Sequence, residues 1–341
     1  MTQYELLNGE LTFSRSDLLS RVCSSHRGSI VYLAGSMVEG NGNKQSDVDL
    51  YVFESSLPSA SEVPVHNFAL NEGDRNRLHY TFLNDEGTGF DVEYYCTSEF
   101  EEMTRELDEF YAASLTSTRM IRTGMKKSTV DVLARISCGE FVSGAEDLST
   151  RIDLGKLCFA LYRCSAGAFH EFKDVVGAWD AGDLELASWM LREVIAIEAM
   201  GLLHLSGNPS CRRKWLTMNL FKMEGSASEL GKRCAKWLLT AQPTECDIQV
   251  GCRLLDGIYD ATRGMLDATA GAYEEAEARQ LFLDEYQDEP KKDGGTNFEF
   301  IYRSRMVFPS VGSSWDFLTN SKSRREWPRP VAEALSGVRG Q

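Results

Sequence analysis

The sequence predicts an α+β fold: an N-terminal mixed sheet with flanking helices, followed by a C-terminal helical bundle domain. Two patterns and one bound predict it. Short β-branched and aromatic runs, several of them alternating, fill the first part of the chain, and apolar residues at helical spacing dominate from residue 127 onward. The chain has 341 residues, 43% of them hydrophobic, which is enough for two domains with real cores.

The elements follow in order. Residues 14–25, "SRSDLLSRVCSS", have the spacing of an amphipathic helix. "SIVYLAG" (29–35) is an apolar, β-branched strand ending in glycine, and "VDLYVFE" (48–54) is a second strand. A polar loop with Pro58 and Pro64 follows, then the alternating strand "RLHYTFLN" (77–84). The turn "NDEGTG" carries Gly87 and Gly89 and leads into a fourth strand, "FDVEYYC" (90–96). Ser98 with Glu101 has the spacing of a capping box for a helix reaching about Tyr111. Helical spacing then recurs over 127–138, 152–172, 180–206, 212–223, 227–240 and 244–285, with Gly207-Asn208-Pro209 ending one segment and Pro243 opening another. The expected organisation is a sheet domain over 1–120, a helical domain over 121–285 and a partly irregular extension over 286–341, with the first boundary inside 112–127. In that extension "FEFIYRSRMVF" (298–308) reads as a strand or a short helix, and "KSRRE" (322–326) as part of a solvated basic tail.

Composition narrows the function. The formal net charge is −15, against the basic footprint that phosphate neutralisation asks of a nucleic-acid binder, and it suits a small cationic partner better. The nine cysteines form no CxxC pair and the five histidines no HExxH, so the thiols read as reduced and structural, and a histidine-based metal site or dyad has little support. The N-terminus shows no signal-peptide pattern and no apolar run has the length of a membrane span, so a cytoplasmic location without membrane contact is expected.

The chemistry concentrates in "LAGSMVEGNGNKQSDVDLYVF" (33–53). In a strand, Asp47 and Asp49 point to one side while Val48 and Leu50 point to the other. Two carboxylates so close repel, and each tends to protonate unless a cation sits between them. Mg²⁺ is the natural compensation, because it takes carboxylate oxygens and keeps positions for phosphates. Asp91 and Glu93 share a face in the same way, and if the two strands are neighbours three or four carboxylates converge, as two-metal phosphoryl chemistry requires. A D-x-D pair alone is more often structural, the mark of a solvent-exposed strand edge or a turn entry. Gly35-Ser36, at the end of an apolar strand, gives it a context, since a glycine there lets backbone N–H groups approach an anion.

Together, Ala34-Gly35-Ser36, ten intervening residues, and Asp47-Val48-Asp49-Leu50 resemble the signature of the DNA polymerase beta-like nucleotidyltransferase superfamily. The "SDVDL" wording is closest in flavour to the aminoglycoside nucleotidyltransferase-like branch. The resemblance covers residues 29–96. It implies an N-terminal polymerase beta-like sheet and two Mg²⁺ ions held by Asp47 and Asp49 on ATP or another NTP. It implies Gly35 and Ser36 on the β- and γ-phosphates, with Ser46, immediately before the metal pair, also binding the nucleotide. A third carboxylate would complete a metal site or take the proton of an acceptor hydroxyl; Asp91 fits that place first and Glu93 second, and Glu93 could instead bind a cationic acceptor. By the same resemblance "NPSCRRKWLTMNL" (208–220) offers Lys214, helped by Arg213 or Arg212, to the triphosphate; the other reading is a solvated basic patch anchored by Trp215. Lys44, in the glycine-rich loop, reads as a surface charge.

The activity implied is metal-dependent transfer of a nucleoside monophosphate, AMP from ATP as first choice, to a hydroxyl of a small-molecule, cationic acceptor, with release of pyrophosphate. The alternatives are the same chemistry on tRNA, a protein or a second nucleotide, and a non-catalytic nucleotide-binding member. The oligomeric state is not legible.

Overall fold

The computed structural model describes residues 2–23, 29–70, 77–116, 125–165, 169–210, 212–270 and 318–319. Of the sequence expectations, the extension with its 298–308 and 322–326 segments, the end of the last helix beyond 270, and the 117–124 part of the boundary region lie outside these residues. The described chain is a mixed α/β structure that forms two compact units. One draws on Met1–Glu109, Met125–Leu157 and Pro209–Cys211, the other on Phe110–Gly124, Cys158–Asn208 and Arg212–Gln341.

The first unit opens with a hairpin of β1 (Gln3–Leu6) and β2 (Leu11–Ser14), turned through Leu7 and Gly9, both at positive φ. A short helix α1 (Arg15–Leu19) follows, its N-terminus closed by a capping box between Ser14 and Asp17. The helix expected over 14–25 therefore stops at its first turns. Ser20 caps the helix, its N–H donating to the Ser16 carbonyl at 3.0 Å, and the chain turns away with Leu18 and Val22 buried in the core.

Next come β3 (Ile30–Ala34), β4 (Val48–Glu54), β5 (Ala69–Leu70), β6 (Leu78–Leu83) and β7 (Gly89–Cys96). After α2 (Thr97–Thr116) and α3 (Lys127–Cys138), β8 (Glu140–Ser143) completes a sheet of order β5-β6-β7-β4-β3-β8. β4 and β7 run parallel and the other neighbours antiparallel, so the sheet is mixed. The start of α2 corrects the expected Ser98–Glu101 box. The helix begins at Thr97, and Glu99 reaches back to accept from the Cys96 N–H at 3.0 Å, so the capping carboxylate sits two residues earlier.

Strand register sorts the side chains onto two faces. On one lie Val31, Leu33, Val48, Leu50, Val52, Tyr80, Phe82, Phe90, Val92 and Tyr94, all buried, packed with Tyr4, Phe13, Leu18 and Val22. Stacked rings, Phe82 on Phe90 at 5.1 Å and Tyr80 on Tyr94 at 6.1 Å, run across the strands. The other face carries Tyr32, Ala34, Asp49, Tyr51, Phe53, Asp91, Glu93 and Tyr95. It is aromatic toward the C-terminal ends of β4 and β7, where Phe53 meets Tyr95 and Phe100, and acidic toward their N-terminal ends.

The second unit is helical. It contains α5 (Phe169–Asp180), α6 (Leu184–Leu205), α7 (Leu216–Lys222), α8 (Ser228–Thr240) and α9 (Glu245–Ala270), and α4 (Leu154–Ser165) enters it. The run expected as one helix over 152–172 is thus two, α4 and α5. α6 is apolar on nearly all sides, as a central helix must be, and buries Leu191, Val194, Ile195, Ala199, Leu202 and Leu203. Gly251 lets α9 close against this core, since a Cβ there would come within 2.6 Å of the Trp237 ring and 2.8 Å of Leu191. α6 is capped by Asp183 and ends at Gly207, whose φ is +89°.

Candidate functional site

The acidic end of the sheet is built by three strand ends. The chain leaves β3 at Gly35, crosses a tight turn and returns at Asp47 to start β4. Gly35 has φ +87°, and any Cβ on it would collide with the carboxyl of Asp49. Gly89, which opens β7, stands in the same relation to Asp47. Both aspartates are thus cradled by glycines that leave no room for a side chain. Gly42 similarly lies flat on the backbone of Met37. The turn is held by its own backbone: the Ser36 carbonyl accepts from Asn41 N–H at 2.8 Å and Gly42 N–H at 2.7 Å, and the Gly35 carbonyl from Glu39 N–H at 3.0 Å. Ser36 is buried. Ser46 accepts from the Asn43 N–H at 3.0 Å through its hydroxyl, closing the loop before Asp47. Lys44 is exposed and pairs with Glu10 at 3.1 Å, the surface charge expected.

Asp49 and Asp91 are direct register partners on the parallel pair β4 and β7, and Tyr51 and Glu93 follow one pleat further. Asp47 is exposed, Asp49 and Asp91 are half-buried and Glu93 is buried. Burial first, and then the charges of Asp91, Glu93 and Asp47, push the Asp49 carboxyl up from 3.8 to about 7, while the buried Arg135 guanidinium pulls the other way. Burial therefore outweighs the one cation that acts on this carboxyl, and the neighbouring carboxylates add to it.

The geometry also assembles residues that the sequence reading passed over. β6 places His79 opposite Glu93 and Thr81 opposite Asp91. The His79 Nε2 meets Asp91 Oδ1, and the Arg77 guanidinium meets Glu93. Glu93 also accepts from the Tyr95 hydroxyl at 2.6 Å, and Arg77 lies over the Tyr95 ring, 5.4 Å from its centroid. The tight set of potential metal ligands among the described residues is His79, Asp91 and Glu93, whose ligand atoms lie within 4.8 Å of one another. Behind the Gly35 turn, Arg135 of α3 is ion-paired with Glu39, both nearly buried, and Glu39 accepts from the Ser210 hydroxyl at 3.1 Å. Only the period-2 charge pattern of Arg77-Leu78-His79-Tyr80 facing Asp91-Val92-Glu93 could have signalled the first group. Nothing local signals the second.

Arg213 and Lys214 belong to the other unit. They lie in a single turn over Arg213–Trp215, both exposed. Arg213 pairs with Glu193, and the Lys214 ammonium stands 5.1 Å from the ring centre of the half-buried Trp215. The helix that follows them, α7, is only seven residues long.

The residues fit a divalent cation. They offer hard carboxylate oxygens on adjoining strands, an excess of negative charge, and a turn whose glycines admit close approach. No helix among the described residues is long and apolar enough to cross a membrane.

No protein-family model and no curated sequence matches the chain. Among solved structures it is similar to a nucleotidyltransferase-like protein from Exiguobacterium sibiricum 255-15, at 11% identity over 82% of this chain and 79% of that one, with a TM-score of 0.30. It is also similar to an aminoglycoside 6-adenyltransferase from Bacillus subtilis, at 10% identity over 79% of this chain and 99% of that one, with a TM-score of 0.26. At that overlap the likeness says nothing of activity or substrate.

Proposed function

We propose that the chain is a nucleotidyltransferase that moves a nucleoside monophosphate, AMP from ATP as first choice, to the hydroxyl of a small acceptor. The observation that carries this reading is the pairing of Asp49 with Asp91 in register on parallel strands, at the mouth of the Gly35-Ser36 turn. In the reaction the acceptor oxygen forms a bond to the α-phosphorus, the bond from that phosphorus to the bridging oxygen breaks, and pyrophosphate leaves.

Asp47 and Asp49 would hold the Mg²⁺ that arrives with the triphosphate, and Asp91 would complete the carboxylate set. When bound, the metal neutralises charge that builds on the phosphates in the transition state. The chain's own residues do the rest. The Gly35-Ser36 turn gives backbone N–H groups and a hydroxyl to the phosphates, and the glycine cradles fix the two aspartates in place. Asp91, on the strand beyond Asp49, faces the acceptor side and receives the hydroxyl proton. Both carboxylates already have partners, Asp91 in His79 and Glu93 in Arg77 and Tyr95; the register of Asp91 with Asp49 is what favours Asp91 as the third carboxylate. The net charge of −15 favours a cationic small acceptor over a polynucleotide.

The test is an acceptor screen with Mg-ATP and mass detection of product. The expected result is a nucleotidylated small molecule formed by the wild type and absent with Asp47→Asn. Tight Mg-ATP binding with no transfer to small molecules, tRNA, protein or nucleotides would support the non-catalytic reading instead.

A further inference from the structure

We infer that His79, Asp91 and Glu93 form a mixed nitrogen and oxygen site for a borderline divalent transition ion, distinct in its chemistry from the Asp47–Asp49 pair. This deepens the proposed function, on whose assignment of Asp91 it rests, by naming the ion that the Asp91 side takes.

The placement follows from the sheet. His79 and Glu93 are register partners across the antiparallel pair β6 and β7, and Asp91 lies one pleat along on the same face. Their ligand atoms lie within 4.8 Å of one another. The three come from two strands packed on a dry aromatic core, so the cluster is preset rather than gathered from loops. One imidazole with two carboxylates is a donor set that Mg²⁺ serves poorly, since it prefers all-oxygen shells. Imidazole suits ions such as Zn²⁺, Fe²⁺ and Ni²⁺, and affinity for a nitrogen and oxygen site rises from Mn²⁺ through Fe²⁺ and Co²⁺ to Ni²⁺.

Arg77 bears on one of the three ligands. It meets Glu93 through a terminal nitrogen, while its own Nε is buried with no hydrogen-bond partner among the described residues. A guanidinium so placed is an incomplete match for the carboxylate and competes with a metal for it. Two substitutions on one strand should therefore act in opposite directions. Loss of His79 removes a ligand, and loss of Arg77 removes a competitor.

The experiment is titration of the chelator-treated full chain with Co²⁺, followed by visible absorption and calorimetry, with thermal melts to confirm that each variant is folded. The wild type should bind one Co²⁺ with an imidazole-dependent band, and a large excess of Mg²⁺ should not displace it. His79→Gln should weaken binding by at least the roughly 10–100-fold that loss of a supporting contact costs a metal site. Glu93→Gln should weaken it too, and Arg77→Gln should tighten it. Asp47→Asn should leave the band in place. Unchanged Co²⁺ affinity in both His79→Gln and Glu93→Gln, or ready displacement by Mg²⁺, would overturn the inference. Because the readout needs no turnover, a chain that binds Co²⁺ in this way yet releases no pyrophosphate refutes the proposed function alone. A chain that turns over Mg-ATP without the His79-dependent band refutes this inference alone.

Discussion

Leu50 and Asp49 are neighbours in one strand and belong to different worlds. Leu50 is fully buried among stacked aromatic rings and aliphatic side chains. Asp49 lies on the opposite face, beside Asp91 and against the bare backbone of Gly35. The first face is saturated: every neighbour is apolar, and the tyrosines on it have found partners, as where the Tyr80 hydroxyl donates to the Arg21 carbonyl at 2.6 Å. The second face is unsaturated at one end, where carboxylates outnumber the cations that reach them. One face supplies folding energy, and the other keeps carboxylates close together at a cost in stability.

The contrast breaks most sharply at the two neighbours themselves. Asp49→Asn should cut transfer on the order of 10³-fold, the scale of losing a preorganised electrostatic contact, while the melting midpoint at neutral pH holds or rises. Leu50→Ala should do the reverse, costing about 2–5 kcal/mol of stability in a urea titration as a cavity opens in a close-packed layer. Gly35→Ala comes next and harms both faces' roles. Its positive φ and the collision with Asp49 should cost about 1–3 kcal/mol and lower activity, read from denaturant midpoints and initial rates.

A pH series sharpens the comparison further. The folded, metal-free chain holds a proton on Asp49 up to about pH 7, whereas the unfolded chain gives it up near 3.8. The stability that this proton binding contributes is complete below the lower value and is lost as pH rises through the higher one. Urea midpoints in chelator should therefore fall from pH 5 to pH 8 in the wild type, and fall less in Asp49→Asn. Equal slopes would show that the carboxyl is not crowded. At the small end, Lys44→Ala should change stability by no more than about 0.5 kcal/mol, because its ion pair with Glu10 is open to solvent on both sides.

The saturated face was the more legible in the sequence. Residues 29–35, 48–54, 77–84 and 90–96 each carry a strand pattern strong enough to read alone, and β3, β4, β6 and β7 lie there. The β1–β2 hairpin was passed over although Leu6-Leu7-Asn8-Gly9 sits between alternating apolar residues, a hairpin signal in plain view. β5 and β8 are too short to announce themselves, being two and four residues long. Of the acidic end, the D-x-D pairs and the glycine turn were local in sequence and so could be found. That Asp49 would stand beside Asp91, and that His79 and Arg77 would join them, depends on which strands pair and in what register. No single stretch encodes that.

The most direct test of the account is pyrophosphate release from Mg-ATP by the full chain in the presence of hydroxyl acceptors, compared with folded Asp49→Asn and Asp91→Asn variants. The account predicts release that depends on acceptor and on Mg²⁺ and is lost in both variants. Release that persists in either variant at wild-type rate would contradict it, because the chemistry would then lie elsewhere in the molecule.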